Sequence, residues 1–356
     1  MEVFQMSNVF NSKRVIVMSA VVSLLLLVQI ESFAGQDWEV ITQLPTQRSG
    51  IATAVVDDRI YIIGGTLENV GDPDGVSTVE EYDPQTNTWR RVADMPTRRY
   101  YPKAAVVNDT IYVFGGWYEE KGVKTEYPVR LDAYDPATDT WTRKKDMPVP
   151  RVHPAVGAVD GKIYIIGGST GWGWGDERRM DRVDIYDPAT NTWEDGPKMP
   201  TQRDAYLGGV VNNRIYVIGG YGPPGGQVLS AIEEYDPINR QWQKKKDMLN
   251  VKFSFRTAVV KDDIYVIGGI DKSRQYLATV DMYNPQTETW RDIPAIPTPM
   301  YPQGAATVNG TIYVFGGMGA GGQFLPDVLA FDTGFRAVEA NGKLLTRWGQ
   351  LKKGDN

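Results

Sequence analysis

Residues 48–65 read RSGIATAVVDDRIYIIGG, and residues 79–89 read VEEYDPQTNTW after a polar stretch. The same order of features returns along the chain at intervals of about 50 residues. The glycine pairs of the repeat stand at Gly64-Gly65, Gly115-Gly116, Gly167-Gly168, Gly219-Gly220, Gly268-Gly269 and Gly316-Gly317. A fixed period of this length predicts an array of six similar units.

Each unit contains four short strand candidates, which we name A to D in chain order. In the first unit they cover residues 51–56, 60–63, 78–82 and 88–92. Strand B is apolar at every position, which predicts burial on both of its faces. The pairs between A and B, such as Asp57-Asp58, tolerate positive φ and suit tight hairpin turns. Each unit is therefore predicted to be a four-stranded antiparallel sheet.

Six such sheets, each buried on both faces, can stack around an axis as an all-β, six-bladed β-propeller over residues 35–351. The double glycine, the Tyr82-Asp83-Pro84 turn and the following Trp89 are repeated along the chain. With these features the chain resembles the kelch-repeat propellers of the exported bacterial type from Trp38 to Trp348. The resemblance implies the fold, and function has to be argued from a site.

The termini differ from the repeats. Lys13 and Arg14 precede sixteen uncharged residues, 15–30, and small residues follow at Ser32 and Ala34. This pattern predicts a signal peptide over residues 1–34 and export to the periplasm or the medium. The alternative is a membrane anchor formed by residues 15–30, and in that case the segment is the protein's only membrane contact. Residues 352–356 are predicted to be a frayed tail.

Two segments compete to close the ring. Residues 38–41 (WEVI) resemble strand D of the repeats but come before any complete unit, so we predict that they complete the sixth blade. Residues 344–351 (LLTRWGQL), which include Trp348, are the alternative.

Composition excludes several classes of function. The chain has no cysteine, so it has neither disulfides nor thiol chemistry. The family that the chain resembles includes copper oxidases that depend on a cysteine–tyrosine crosslink. A chain without cysteine cannot form this crosslink, so that subfamily is excluded. The net charge of −6 argues against a nucleic-acid partner. We expect a monomer with no cofactor and no metal.

Antiparallel geometry places the B–C loops and the D–A connections on one face of the ring, where loop variation favours a binding site. Residues at equal distances before each Ile-Tyr pair are predicted to form a basic arc at the channel mouth. They are Arg48, Arg99, Arg151 and Arg203, continued by Lys252 and Met300. Three tryptophans outside the repeat register fall in B–C loops, namely Trp117, Trp172 and Trp174. Beside the arginines stand Tyr100, Tyr101, His153, Asp204, Tyr206, Phe253, Phe255 and Tyr301.

Each of these signals has a structural alternative. The arginines could pair with backbone carbonyls or with acidic loop residues such as Glu119, Glu120 and Asp176, and the three tryptophans could pack onto the ring. His153 is the only histidine, and nothing in the sequence marks a serine or carboxylate relay beside it. No catalytic residue is assigned.

Three functions remain open. By resemblance to kelch propellers that bind partner segments, Arg99, Arg151 and Arg203 would recognise acidic groups, which implies a protein partner or an acidic or sugar ligand. The second function is a carbohydrate-active enzyme resembling the sialic acid mutarotase (epimerase) found among exported kelch propellers. The third is a structural scaffold of the envelope or cell surface.

Overall fold

The structure is a computed structural model that describes residues 37–67, 75–116, 129–170, 179–223, 225 and 227–335. All the described residues belong to the unit Gln36–Asn356. Every regular element in this described part is a β-strand. It contains no helix long and apolar enough to cross a membrane, and the predicted signal or anchor at residues 1–34 lies outside it.

Six antiparallel sheets of four or five strands are the blades, and two separate two-stranded ladders lie beside them. The chain begins with β1 (Glu39–Gln43) and β2 (Arg48–Ser49). Blade one contains β3 (Ala52–Val56), β4 (Arg59–Ile63), β6 (Val79–Asp83) and β7 (Thr88–Val92), and β5 (Thr66–Leu67) pairs with β2 outside this sheet. Blade two contains β8 (Lys103–Val107), β9 (Thr110–Phe114), β10 (Leu131–Asp135) and β11 (Thr140–Arg143). Blade three contains β12 (Ala155–Val159), β13 (Lys162–Ile166), β14 (Val183–Asp187) and β15 (Thr192–Asp195).

The second half of the chain repeats this plan. Blade four contains β16 (Asp204–Val211), β17 (Arg214–Gly222), β18 (Gln227–Val228), β19 (Ile232–Asp236) and β20 (Gln241–Lys245). Blade five contains β22 (Arg256–Val260), β23 (Asp263–Ile267), β25 (Val280–Asn284) and β26 (Thr289–Ile293). β21 (Lys252–Phe253) and β24 (Ile270–Asp271) pair with each other outside this sheet. Blade six contains β27 (Met300–Val308), β28 (Thr311–Gly319) and β29 (Phe324–Asp332). The predicted strands of the first unit are confirmed to within one residue.

The blades form a closed ring around a central channel. Within a blade the strands pair in the order A, B, C, D, and the A strands of neighbouring blades contact one another from β3 through β8, β12, β16, β22 and β27 back to β3. The core consists of apolar clusters between neighbouring blades, such as the one that holds Tyr61, Val113 and Tyr134 between blades one and two. The predicted all-β, six-bladed propeller is confirmed.

The N-terminal strand closes the ring. β1 pairs antiparallel with β29, so it supplies the outermost strand of blade six. Trp38 stacks on Phe331 with ring centroids 5.1 Å apart, as Trp89 contacts Tyr82 at 4.7 Å within blade one. The Trp38 indole N–H donates to Pro294 O of the preceding blade at 2.8 Å. The prediction of N-terminal closure is confirmed, and the rival Trp348 lies outside the described residues.

The A–B turns adopt the backbone that their residues predict. Asp57 and Asp58 have φ values of 48° and 58°, and Asn108 and Asp109 repeat this pattern with 48° and 57°. Positive φ at both central residues belongs to the tight hairpin turn whose twist matches that of the flanking strands.

The glycine pairs allow neighbouring blades to touch through their backbones. Gly64 has a φ of 64°, and a Cβ there would lie 2.7 Å from Arg99 O. The N–H of Gly65 donates to the same carbonyl at 2.8 Å. No larger residue fits this position, which explains the repeated pair. The contact also fixes the backbone of Arg99, a predicted site residue that lies just before strand A of the next blade.

Candidate binding site at the channel mouth

Five buried cations occupy equivalent positions just before strand A, and each meets a carboxylate near the start of strand C in its own blade. We call these ten residues the cation belt. The pairs are Arg48–Glu80 at 2.7 Å, Arg99–Asp132 at 2.5 Å, Arg151–Asp184, Arg203–Glu233 at 2.6 Å and Lys252–Asp281 at 2.8 Å.

Arg99 illustrates how a belt cation is held. Its Nη1 donates to the backbone carbonyls of Val113, Gly115 and Arg130 at 3.1–3.3 Å, where strands B and C diverge. Burial lowers the pKa of Arg99 to about 10, and the charge of Asp132 opposes that shift. The guanidinium therefore stays charged at neutral pH and is neutralised within its own blade.

The belt changes the interpretation of the predicted site residues Arg48, Arg99, Arg151 and Arg203. Their side chains are only 0–1% exposed and point into their own blades, so the open basic arc expected of them is not present. The structural alternative fits, because they pair with carbonyls and carboxylates. The partners are strand C carboxylates rather than the B–C loop residues Glu119, Glu120 and Asp176, which lie outside the described residues.

A sequence signal for these partners exists and was missed. Each belt carboxylate stands two residues before the repeated tyrosine, as Glu80 stands before Tyr82. In blade six the cation is replaced by Met300, and the equivalent carboxylate is replaced by Leu329. Cation and acid are thus kept together or lost together among the repeats, which indicates a pair.

Two residues beyond the cation, the chain turns sharply into strand A. Gly50, Tyr101, His153 and Ser254 occupy this position with φ values of 63°, 55°, 53° and 54°. A left-handed backbone is unusual for tyrosine or histidine and is concentrated at functional sites in proteins. The turn places the two side chains over the channel.

Five half-buried side chains from four blades converge at this end of the channel. We call them the mouth cluster: Tyr101, Lys103, His153, Arg256 and Tyr301. The rings of Tyr101 and His153 lie 5.2 Å apart in an edge contact. The Cζ of Arg256 lies 5.1 Å from the centroid of Tyr301, and its Nε donates to Gln303 O at 2.8 Å. Of the predicted site residues, the structure brings Tyr101 and His153 together here.

Lys103 was not singled out from the sequence, and it is the most unusual group of the cluster. Its ammonium has no hydrogen-bond or ion-pair partner among the residues that the structure describes. Loss of solvent in the channel, together with the charge of Arg256 across it, lowers the pKa of Lys103 to about 7. The same loss of solvent, aided by the charges of Lys103 and Arg256, lowers the pKa of His153 to about 3. His153 is therefore neutral at physiological pH, and the mouth can accept negative charge.

Tyrosine hydroxyls complete the lining. Burial raises the pKa of Tyr101 well above its usual range, and hydrogen bonds to the side chains of Tyr100 and Tyr301 act in the same direction. The ring centroids of Tyr100 and Tyr101 are 4.0 Å apart. The phenol of Tyr101 therefore remains protonated and is held in place by hydrogen bonds within the tyrosine group.

The other predicted residues lie apart from the cluster or outside the described chain. Asp204 faces Arg179 at 3.6 Å, and burial raises the pKa of Asp204 to about 6. Phe255 is core, and Phe253 lines a separate cleft. Tyr206 lies in β16, and the predicted Trp117, Trp172 and Trp174 lie outside the described residues. No group of three potential metal ligands occurs in the described part of the chain.

Comparisons with known proteins agree with this architecture. Residues 18–205 and 209–344 match the family model described as the KLHDC2/KLHL20/DRC7 Kelch-repeats domain. The chain is 30% identical over 182 residues to human Kelch repeat and BTB domain-containing protein 12, covering 48% of this chain and 29% of that protein. It is 32% identical over 174 residues to Kelch-like protein terF of Aspergillus terreus, covering 48% of this chain and 38% of that protein.

Other similarities extend the range of related proteins. The chain is 30% identical over 189 residues to alpha-scruin of Limulus polyphemus, covering 52% of this chain and 20% of that protein. The chain thus spans well under two thirds of the length of each of these relatives. The solved structure of YjhT superposes with a TM-score of 0.69 at 18% identity, covering 86% of this chain and 99% of YjhT. That likeness concerns the fold alone.

Proposed function

The chain belongs to the kelch-repeat family, and from this premise we propose that it is a non-catalytic binding module whose channel mouth takes an acidic ligand or an acidic segment of a protein partner. Kelch-repeat proteins commonly bind protein partners. The proposal narrows this to a face, the B–C loop side of the ring, and to a chemistry, the recognition of carboxylate-like groups.

The observation that carries the proposal is the Lys103 ammonium. It stands among Tyr101, His153 and Arg256 with no counter-charge in the described part of the chain. A half-buried cation without a partner is unfavourable, and a bound anion would remove that penalty. The charges of the cation belt, by contrast, are already neutralised.

The neighbouring groups set the ligand's orientation. Arg256 presents a planar guanidinium over Tyr301, and the Tyr101 ring packs edge-on against His153 beside it. A carboxylate entering the mouth would meet donors from opposite sides of the channel, because Lys103 lies in blade two and Arg256 in blade five. Such convergence favours one anionic group over an extended apolar surface.

A carbohydrate-active enzyme is the second candidate, and the pKa of Lys103 is the observation that favours it. A pKa of about 7 suits proton transfer at neutral pH. If the chain interconverts the anomers of an acidic sugar, NMR of the sugar alone and with protein would show faster exchange, and Lys103→Met would abolish the acceleration. Unchanged exchange would leave the binding function.

We also propose that the protein is exported and that the mature chain starts at Gly35. The support is the basic, apolar and small-residue pattern of residues 13–34. Mass spectrometry of the protein recovered from outside the cytoplasm would identify the first residue. A chain that retains residues 15–30 would indicate the membrane anchor instead.

Thermal unfolding of residues 35–356 with acidic sugars, acidic peptides and neutral glycans tests the binding site. A ligand present at 100 times its Kd stabilises the folded state by about 2.7 kcal/mol. We expect stabilisation by acidic compounds that is lost in Lys103→Met. The matched control is Lys162→Met, because Lys162 is 40% exposed and begins strand B at the opposite face. Stabilisation that survives Lys103→Met would contradict the site.

A further inference from the structure

A cleft with a volume of about 370 Å³ opens between blades four and five, apart from the mouth cluster. It is lined by Tyr221, Gln227 and Val228 from blade four, by Phe253, and by Lys272 and Arg274 from blade five. Its volume falls in the range of small-molecule sites in proteins.

One wall of the cleft is aromatic and rigidly placed. The rings of Tyr221 and Phe253 lie 5.0 Å apart with an interplanar angle of 56°. Phe253 is only 4% exposed. Short pairings fix both residues, because Tyr221 pairs with Val228 and Phe253 pairs with Ile270. A flat apolar group entering the cleft would meet the half-buried Tyr221 ring, which Phe253 supports from the core side.

The rim of the cleft is cationic. Arg274 lies with its Cζ 5.5 Å from the centroid of Phe253, and Lys272 has no ion-pair partner among the described residues. The nearby carboxylate of Asp271 is directed into its own turn, since its Oδ1 accepts from the N–H groups of Ser273 and Gln275 at 2.8 Å each. The turn that carries the two cations is thereby held by the chain itself.

We propose that this cleft binds a small organic anion with a planar apolar body, such as an aromatic carboxylate or sulfonate. The planar part lies against the Tyr221 ring that Phe253 supports, and the anionic group meets Lys272 and Arg274. Stacking and charge pairing each contribute, so a ligand that has only one of the two features binds more weakly.

Isothermal titration calorimetry with three probes tests this site. Naphthalenesulfonate has both features, cyclohexanesulfonate has the anion without the flat ring, and naphthol has the ring without the charge. We expect naphthalenesulfonate to bind at least ~10-fold more tightly than either of the others. Equal affinities for the two sulfonates, or no binding of naphthalenesulfonate at millimolar concentration, would overturn the proposal.

Two sets of variants locate the bound anion. The double variant Lys272→Gln/Arg274→Gln is expected to weaken naphthalenesulfonate binding at least ~10-fold. The control Lys246→Gln/Arg291→Gln removes the same charge from exposed positions on the outer side of blades four and five and should leave affinity unchanged. Thermal unfolding of each variant establishes that it is folded.

The Lys103→Met variant separates this cleft from the channel mouth. Affinity for naphthalenesulfonate should not change in it if the anion lies between blades four and five. If Lys103→Met abolishes binding while the double variant retains it, the anion sits at the mouth and the cleft is not its site.

Discussion

The cation belt and the mouth cluster are neighbours along the chain and yet opposite in character. Arg99 belongs to the belt and Lys103, four residues later, belongs to the cluster. The belt repeats in five blades and pairs every cation with a carboxylate, whereas the cluster occurs once and leaves Lys103 without one among the described residues. Charges that follow the repeat period are neutralised inside the blades, whereas the charge of Lys103 has no counter-charge among the described residues.

The largest change in the free energy of unfolding is expected when a cation of the belt loses its carboxylate partner. Glu233→Leu leaves Arg203 buried without its counter-charge and should lower the free energy of unfolding by about 3–5 kcal/mol. Adding Arg203→Met recreates the Met300 and Leu329 combination of blade six and should recover most of that loss. Urea denaturation of the single and double variants measures both steps. The exposed Glu194→Leu is the control, and a double variant as unstable as Glu233→Leu would contradict the pairing.

Removing a charge from the mouth cluster is expected to stabilise the fold, whereas unpairing the cation belt destabilises it. Lys103→Met removes an unfavourable cation and should raise the free energy of unfolding at neutral pH by about 1–3 kcal/mol, allowing for its partial access to water. The unfolded pKa of 10.5 exceeds the folded pKa of about 7, so the unfolded chain binds more protons between these values. Wild-type stability should therefore rise across this pH window, and the rise should be smaller in the variant. A less stable variant would show that Lys103 has a partner.

A smaller pH effect is expected from His153. Its folded pKa of about 3 lies below its unfolded value of 6.5, so the stability it contributes is lost as pH falls through that window. His153→Gln should remove about 1–2 kcal/mol of the wild-type loss between these pH values. Because the chain has one histidine, the difference between the two pH profiles isolates this group. Identical profiles would place His153 in open solvent.

The smallest change in stability is expected from a substitution in the sharp turn between the belt cation and strand A. Ser254 has a φ of 54°, and Ser254→Gly should stabilise the fold by about 0.5–1 kcal/mol because glycine adopts this backbone without strain. Thermal unfolding measures the change, with Ser230→Gly as the control at a position outside the left-handed region. Destabilisation of the same size would indicate that the Ser254 side chain makes a required contact.

The fold could be predicted from the sequence because its determinants are local and repeated. The residues of the tight turns, the apolar strand B and the tryptophan of strand D each occur in several repeats. The ring closure could be predicted as well, because the segment that begins at Trp38 resembles the strand D that contains Trp89. The site could be predicted only in part. Tyr101 and His153 were found through their place beside the arginines, but Lys103 belongs to no motif.

The arginines show why charge alone misleads. Their even spacing predicted a shared basic arc at the channel mouth, but spacing carries no information about whether a side chain points outward or into its blade, and these side chains point inward. The carboxylates of strand C decided that question, and they were hidden within the Tyr-Asp-Pro pattern. Lys103 becomes unusual only in the folded ring, where burial in the channel and then the charge of Arg256, distant in sequence, lower its pKa.

The pairing of β1 with β29 also determines when the ring can close during synthesis of the protein. The Gln43 side-chain amide of β1 donates to the Asp327 carboxylate of β29, a partner 284 residues further along the chain. β1 therefore cannot pair until blade six has been translated. Closing so long a loop costs more entropy than closing a local hairpin, so we expect ring closure to be the slow final event of folding. Until then β29 presents an unpaired edge, and chains that stall before closure should be the ones that aggregate.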